Sequence, residues 1–253
     1  MINTNYEKNI RPVILAGGLG TRLRPRTNHL PKPMLPIEGR PILWYVLNNL
    51  RFSNLKTPIV SLDYKGEIIM SYFALDNIDF RMLPEMTMIE SMLKIADTDD
   101  SEAFLGFSAD VLMPPSAIKE VLTYYSKTLL DCVLFVKLSH PGHKKWDFDV
   151  NEDHLRNIFV KDTLTDFERV ILLMKKESLI KVRTYLGENI NEKTIPDFFA
   201  PFNTGWILLL KVMIELGISI YSQIVDIPVW NINTPSDFDC AGQFVRDHMK
   251  ILG

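Results

Sequence analysis

Gly17, Gly18 and Gly20 stand directly before Thr21 and Arg22, and Lys32 follows between Pro31 and Pro33. Glycines in a turn let backbone N–H groups come close to an anion, and an arginine and a lysine add fixed positive charge. That combination suits a polyphosphate. The run Pro12-Val13-Ile14-Leu15-Ala16 ahead of the loop reads as a short buried strand. The loop therefore leaves a strand at its carboxyl end, where open α/β sheets bind ligands.

Two commoner glycine loops do not fit. A P-loop needs Gly-Lys-Ser/Thr to close the turn, whereas Gly20 is followed by Thr21 and Arg22. A dinucleotide fingerprint needs a small residue where Leu23 stands and a helix directly after the glycines. Pro25, Pro31, Pro33 and Pro36 remove that helix by keeping the chain extended or turning.

The segment resembles the sugar-1-phosphate nucleotidylyltransferases, or NDP-sugar pyrophosphorylases. Their opening pattern, Leu-Ala-Gly-Gly-x-Gly-Thr-Arg-Leu-x-Pro-x-Thr followed by Pro-Lys-Pro-Met/Leu, is matched at Leu15 to Leu23, Pro25, Thr27 and Pro31 to Met34. Gly39-Arg40-Pro41-Ile42-Leu43 is similar to the stretch that follows it in the family. The match is specific over roughly the first fifty residues and looser beyond them.

The resemblance implies a Rossmann-like three-layer α/β/α domain with a mostly parallel mixed sheet and a small inserted lobe. It also implies a reaction: an NTP and a sugar 1-phosphate give an NDP-sugar and pyrophosphate, as in the synthesis of surface glycan precursors. The sugar phosphate is already largely ionised near neutrality, with a second pKa of about 6. No general base is required, and the protein's work is to position two anions and stabilise the leaving pyrophosphate. On this reading Leu15, Ala16, Gly17, Gly18, Gly20, Thr21 and Glu85 surround the nucleotide. Arg22 holds the β- and γ-phosphates, and Lys32 bridges the α-phosphate and the incoming phosphate. Asp110, after a strand, is the candidate ligand for Mg²⁺, which favours one or two carboxylates plus substrate phosphates. The structural alternative for Asp110 is a turn cap ahead of Pro114-Pro115.

The acceptor half departs from the family pattern. Glu85 to Leu93 lacks the expected glycines, and the sugar-side lysine is matched only by Lys161 in Val160-Lys161-Asp162. The family's Asn-Ala-Gly aligns with Phe167-Glu168-Arg169. A placement at Asn203-Thr204-Gly205 restores the motif but sets it on an expected helix. Asn231 replaces a second metal-binding aspartate and, being neutral, would hold a cation more weakly. Two alternatives to the sugar enzyme therefore stand: a catalytically weak, nucleotide-binding regulatory homologue, and a cytidylyltransferase acting on a non-sugar phosphate. Pro-Lys-Pro-Met and Gly39-Arg40-Pro41 are closer to guanylyl- and cytidylyl-type members than to thymidylyl-type ones.

The elements that must position these residues alternate strand and helix, the signature of a largely parallel sheet. Strands are expected at 12–16, 57–62, 80–83, 103–107, 132–138, 170–173 and 218–225. Helices are expected at 42–51, 65–73, 89–96, 116–125, 176–186 and 236–249, the last capped by Ser236. The apolar run from Gly205 to Gly217 is interrupted by Lys211 and Glu215 and reads as a core helix, too short to span a bilayer. The stretch 139–166 is turn-rich, and His140 and His143 there read as loop histidines.

The 253 residues, 47% hydrophobic, suffice for a single nucleotidyltransferase domain, with a nucleotide-binding half at about 10–138 and an acceptor half at about 139–253. A net charge of −3 gives no reason to expect nucleic acid or an anionic membrane as partner. Cys132 and Cys240 lack metal-ligand spacing and read as buried, inert thiols of a cytoplasmic protein. The polar start from Met1 to Arg11 has no signal-peptide pattern. A homodimer is compatible with an α/β chain of this size.

Overall fold

The computed structural model describes residues 7–51, 53–128, 130–138, 146–151, 154–160, 167–189, 205–224 and 226–249. In chain order the elements run β1 (Ile10–Leu15), β2 (Pro36–Ile37), β3 (Arg40–Pro41), α1 (Ile42–Leu50), β4 (Ile59–Leu62), α2 (Gly66–Tyr72) and β5 (Asp79–Met82). They continue with α3 (Met88–Thr98), β6 (Ala103–Ser108), β7 (Val111–Leu112), α4 (Pro115–Thr128), β8 (Cys132–Leu138), β9 (Trp146–Asn151) and β10 (His154–Val160). Then come β11 (Phe167–Lys175), α5 (Lys176–Asn189), α6 (Trp206–Glu215), β12 (Ile220–Ile224), β13 (Trp230–Asn231) and α7 (Pro235–His248). The fold is Rossmann-like α/β. Two compact units are discontinuous in sequence: 1–85, 106–126 and 227–253 form one, and 86–105 with 127–226 form the other.

In the first unit β1 is the apolar run expected of a buried strand, and it pairs in parallel with β4 through Val13↔Ile59, Ile14↔Val60 and Leu15↔Ser61. β4 pairs in parallel with β5, and α1 and α2 make the connections. β6 contributes Gly106–Ser108 beside β1. The N–H of Ala109 donates to the carbonyl of Leu15 at 3.2 Å, and that of Ala16 to the carbonyl of Ser61 at 2.9 Å. The carboxyl ends of β1, β4 and β6 thus open at one edge, which is the side on which such sheets bind ligands.

The helix α1 starts directly after Pro41, whose fixed φ ends the preceding extended stretch. Ile42, Leu43, Val46, Leu47 and Leu50 recur at helical spacing and are all buried. The buried Asn49 donates to the carbonyl of Met113 at 2.6 Å, and the Tyr45 hydroxyl to that of Ile37 at 2.8 Å. Burial, with the Glu38 carboxylate adding to it, pushes the Tyr45 hydroxyl above its ordinary pKa, so it stays a donor.

In the second unit β8 pairs antiparallel with β11 and parallel with β12, while β10 joins β12 to β9. The antiparallel pair β9 and β10 falls in a stretch whose charges and turn residues conceal strand periodicity. Helix α3 begins with a capping box, Thr87 and Glu90 each accepting the other's backbone N–H. The core helix expected at 205–217 is α6, with Trp206 to Met213 buried and Lys211 paired to Glu215 at 3.7 Å. No helix among the described residues is long and apolar enough to cross a membrane.

Two expectations need correction. Ser236 does not cap α7: Thr234 does, accepting from the N–H of Asp237, whose carboxylate accepts from the N–H of Thr234. The box needs an acid three residues past the cap, and only Thr234 has Pro235 at the first helical position. Cys240 is exposed, because α7 turns Ala241, Phe244 and Val245 inward and leaves Asp239 and Cys240 outside. Cys132 is buried on β8, and burial with the neighbouring Asp131 charge drives its thiol far above the ordinary range. Only the thiolate reacts. Iodoacetamide should therefore modify Cys240 in the native protein and Cys132 only after denaturation, as peptide mass mapping would register.

Candidate active site

Every described candidate residue lies in the first unit. The loop leaves β1 at Leu15, and Gly17 sits where an added Cβ would come within 3.0 Å of Asp63 Cβ. Asp63, just beyond β4, accepts the N–H of Glu85 at 3.3 Å, which links Glu85 to the floor of the loop. Glu85 itself is exposed, with φ of 60°. An added Cβ on Gly18 would meet nothing within 4 Å, so its backbone is open to approach. Gly20 has φ of 62°, and its carbonyl accepts the hydroxyl of buried Thr27 at 2.9 Å. Thr27 thereby closes the loop.

A 3-10 turn over Thr21–Leu23 follows, with Leu23 buried and Thr21 and Arg22 exposed. The Arg22 guanidinium donates from Nη2 to Asn233 Oδ1 at 2.7 Å. A second 3-10 turn, Lys32–Met34, buries Pro33 and Met34 and aims Lys32 at Asp110. Lys32 Nζ donates to Asp110 Oδ2 at 2.5 Å, with the two side chains 11% and 23% exposed. Such a pair is far less screened by salt than a surface pair.

The strand β13 pairs antiparallel with β7, Asn231 opposite Val111, and the N–H of Ile232 donates to the carbonyl of Asp110 at 3.1 Å. Asn231 therefore stands opposite the residue that follows Asp110, although the two strands are far apart in sequence. Its side-chain oxygen Oδ1 is buried without a hydrogen-bond partner. A buried acceptor left unpaired costs roughly 1–3 kcal/mol and calls for an explanation. The donor set, a carboxylate and an amide oxygen, is of the hard kind that Mg²⁺ takes. Among the described residues no cluster of three or more His, Cys, Asp or Glu could hold a metal alone. A cation here would need substrate oxygens to complete its shell.

The support for the loop is the closing helix. Leu23, Leu35, Ile37, Ile42 and Tyr45 share a buried cluster with Leu112, Ile232, Ala241, Phe244, Val245 and Met249. Arg26 pairs with Asp239 at 2.9 Å and lies over the Phe238 ring, and Arg246 pairs with Glu38 at 2.5 Å. Asn233 and the box of Thr234 and Asp237 were not among the residues expected from sequence. The spelling Thr234-Pro-Ser-Asp237 is the signal that could have found the box. Trp230 fits a rim position, its indole donating to the carbonyl of Asp237 at 2.8 Å.

In the second unit Gly205 precedes α6 with φ of 54°, and an added Cβ would lie 2.8 Å from Met88 Sδ. Gly205 is thus not inside a helix, and the ground for setting Asn203-Thr204-Gly205 aside does not hold at that residue. Phe167-Glu168-Arg169 opens β11 instead. Lys161, His140, His143, Asn203 and Thr204 lie outside the described residues.

Residues 11–125 match the family model described as nucleotidyl transferase. A glucose-1-phosphate cytidylyltransferase from Salmonella typhimurium is 48% identical over 65 residues, 26% of this chain and 25% of that one. A D-glycero-alpha-D-manno-heptose 1-phosphate guanylyltransferase from Campylobacter jejuni is 41% identical over 64 residues, 25% of this chain and 29% of the other. The aligned stretch thus spans about a quarter of these curated relatives. The structure of an inositol-1-phosphate CTP transferase from T. maritima superposes with a TM-score of 0.71 at 17% identity, covering 95% of this chain and 98% of that one, a likeness of fold. Residues 11–125, which hold the glycine loop closed by Thr27 and the lysine seated on Asp110, are thus similar to nucleotidyl transferases, among them cytidylyl- and guanylyltransferases of sugar 1-phosphates.

Proposed function

We propose that the chain transfers a nucleotidyl group from an NTP, CTP or GTP in preference to the others, to a sugar 1-phosphate in the cytoplasm. The observation that carries this reading is the pairing of Lys32 with Asp110 beside the Gly17–Gly20 loop, at the carboxyl ends of β1 and β6, with Arg22 held on Asn233 in the segment that bonds back to Asp110. The base preference rests on the cytidylyl- and guanylyltransferases to which the opening segment is similar.

An oxygen of the sugar phosphate attacks the α-phosphorus, a new P–O bond forms, and the bond to the β-phosphate bridge breaks to release pyrophosphate. No proton need be removed from the nucleophile. Backbone N–H groups of the loop receive the nucleotide, and Arg22 offers its guanidinium to the β- and γ-phosphates, where charge accumulates as pyrophosphate departs. Lys32 draws the α-phosphate and the incoming phosphate together against their repulsion. Asp110 and Asn231 would hold Mg²⁺ together with substrate phosphates, and the ion when bound supplies Lewis-acid charge neutralisation.

The test pairs each of CTP, GTP, UTP, dTTP and ATP, with Mg²⁺, against a panel of sugar 1-phosphates and follows pyrophosphate release. Turnover with at least one pair is expected, fastest with CTP or GTP. Nucleotide binding with no turnover in either direction would instead favour the regulatory homologue, the reading that Asn231 in place of an acid supports.

A further inference from the structure

We propose that Asn233 is a positioning residue that aims Arg22 at the polyphosphate without cancelling its charge, and that the capping box of α7 fixes Asn233 in turn. The inference rests on the reading that Arg22 receives the β- and γ-phosphates. Arg22 is exposed on a single 3-10 turn, so nothing in its own element orders the long side chain. One contact does: the 2.7 Å bond from Nη2 to Asn233 Oδ1, across 211 residues. That bond occupies one of the five N–H donors of a guanidinium, and a forked group held at one corner keeps the others for a bidentate anion.

Asn233 is itself held by its backbone. Its N–H donates to Asp237 Oδ2 at 2.9 Å, and the same oxygen accepts the N–H of Thr234 at 2.7 Å. The N–H of Asp237 returns to Thr234 Oγ1 at 3.3 Å, and Trp230 Nε1 donates to the carbonyl of Asp237. The half-buried Asn233 is thus set by a rigid helix start. The side chain of residue 233 takes no part in the box, so it can be changed while α7 stays capped.

The chemistry of the anchor matters as much as its place. Two neighbouring cations sit on carboxylates, Lys32 on Asp110 and Arg26 on Asp239. Arg22 instead sits on a neutral amide oxygen, which gives it a direction and leaves the full positive charge for a ligand. An aspartate at the same place would direct the guanidinium as well but would repel a triphosphate.

The test measures Kd for CTP and GTP with Mg²⁺ by calorimetry, with CMP and GMP as controls that lack the β- and γ-phosphates. Measurements cover Asn233→Ala, Asn233→Asp, Arg22→Ala, the Arg22→Ala/Asn233→Ala double variant and the parent, with a thermal melt of each. For whichever triphosphate binds the parent, Asn233→Ala should weaken binding roughly three- to tenfold, the size of one lost hydrogen bond. Asn233→Asp should weaken it at least as much, monophosphate binding and Tm should not move, and the double variant should bind no worse than Arg22→Ala alone. A purely structural Asn233 would give the opposite pattern: rescue by aspartate, a lowered Tm and multiplicative losses in the double variant. If Asn233→Ala leaves triphosphate binding unchanged while Arg22→Ala weakens it, the positioning role fails and the polyphosphate reading survives. If Arg22→Ala itself changes nothing, that underlying reading fails and the inference with it.

Discussion

Replacing Lys32 by alanine is expected to lower kcat by about 10²–10³, the loss seen when one preorganised charge-stabilising donor is removed, or roughly 3–4 kcal/mol of transition-state stabilisation. The expected effect is at the upper end of that range for a reason specific to this site. Lys32 Nζ is 2.5 Å from Asp110 Oδ2, and both side chains are largely shielded from solvent. Removing the ammonium takes away the bridge between two phosphates and also leaves a partly buried carboxylate facing them unneutralised. Lys32→Ala should therefore be slower than Lys32→Ala/Asp110→Asn in any step that does not need a metal, such as nucleotide binding. Steady-state rates of pyrophosphate release and nucleotide affinities for the four combinations give the comparison. Near-parent turnover by Lys32→Ala would overturn the assignment.

Gly20→Val is expected to damage stability and activity together. At φ of 62° a β-branched residue is strained, and its Cβ would stand 3.0 Å from Thr27 Cγ2 and 3.1 Å from Lys32 Cβ. Strain of this kind costs about 1–3 kcal/mol and overpacking a similar amount, so a combined loss of roughly 2–6 kcal/mol is expected. The urea midpoint reads it out. The stem of Lys32 is the group that would be pushed aside, and turnover should fall even at temperatures where the variant stays folded. Gly18→Ala makes the control, since an added Cβ there meets nothing within 4 Å. It should retain stability while hindering the approach of a nucleotide to the backbone.

Much of the local structure around the glycine loop could be read from the chain because its signals are local. Gly17 to Lys32 lie in one segment, their spacing fixed by prolines, and the apolar run before them can only be a strand. The strand ahead of Asp110 was legible for a related reason, an apolar run from Ala103 to Phe107 that forms β6. The partners of these residues were not legible. Nothing near Arg22 or near Asn233 in sequence says that they meet, because the contact exists only once α7 folds back on the loop. Gly205 reads as helical because the apolar run of α6 begins directly after it. Backbone dihedrals, which composition does not encode, decide that the helix starts one residue later. Cys240 was misread for want of helical phase: one residue separates it from buried Ala241. The pair β9 and β10 is hidden in the sequence because charged and turn-forming residues interrupt the alternation of a strand.

The clasp between the loop and α7 also has a bearing on how the protein is made. Arg22 and Asn233 are separated by 211 residues, and a ribosome adding about 5–20 residues per second needs roughly ten to forty seconds to pass from one to the other. Throughout that interval the nascent chain carries Arg22 without the residue on which it is seated, whereas Lys32 has its partner Asp110 only 78 residues further on. Translation stalled before residue 233 would leave a polypeptide with the parallel strands β1, β4 and β5 already synthesised, yet with Arg22 lacking its seat on Asn233. The clasp on Arg22 is thus completed late, when the final helix arrives.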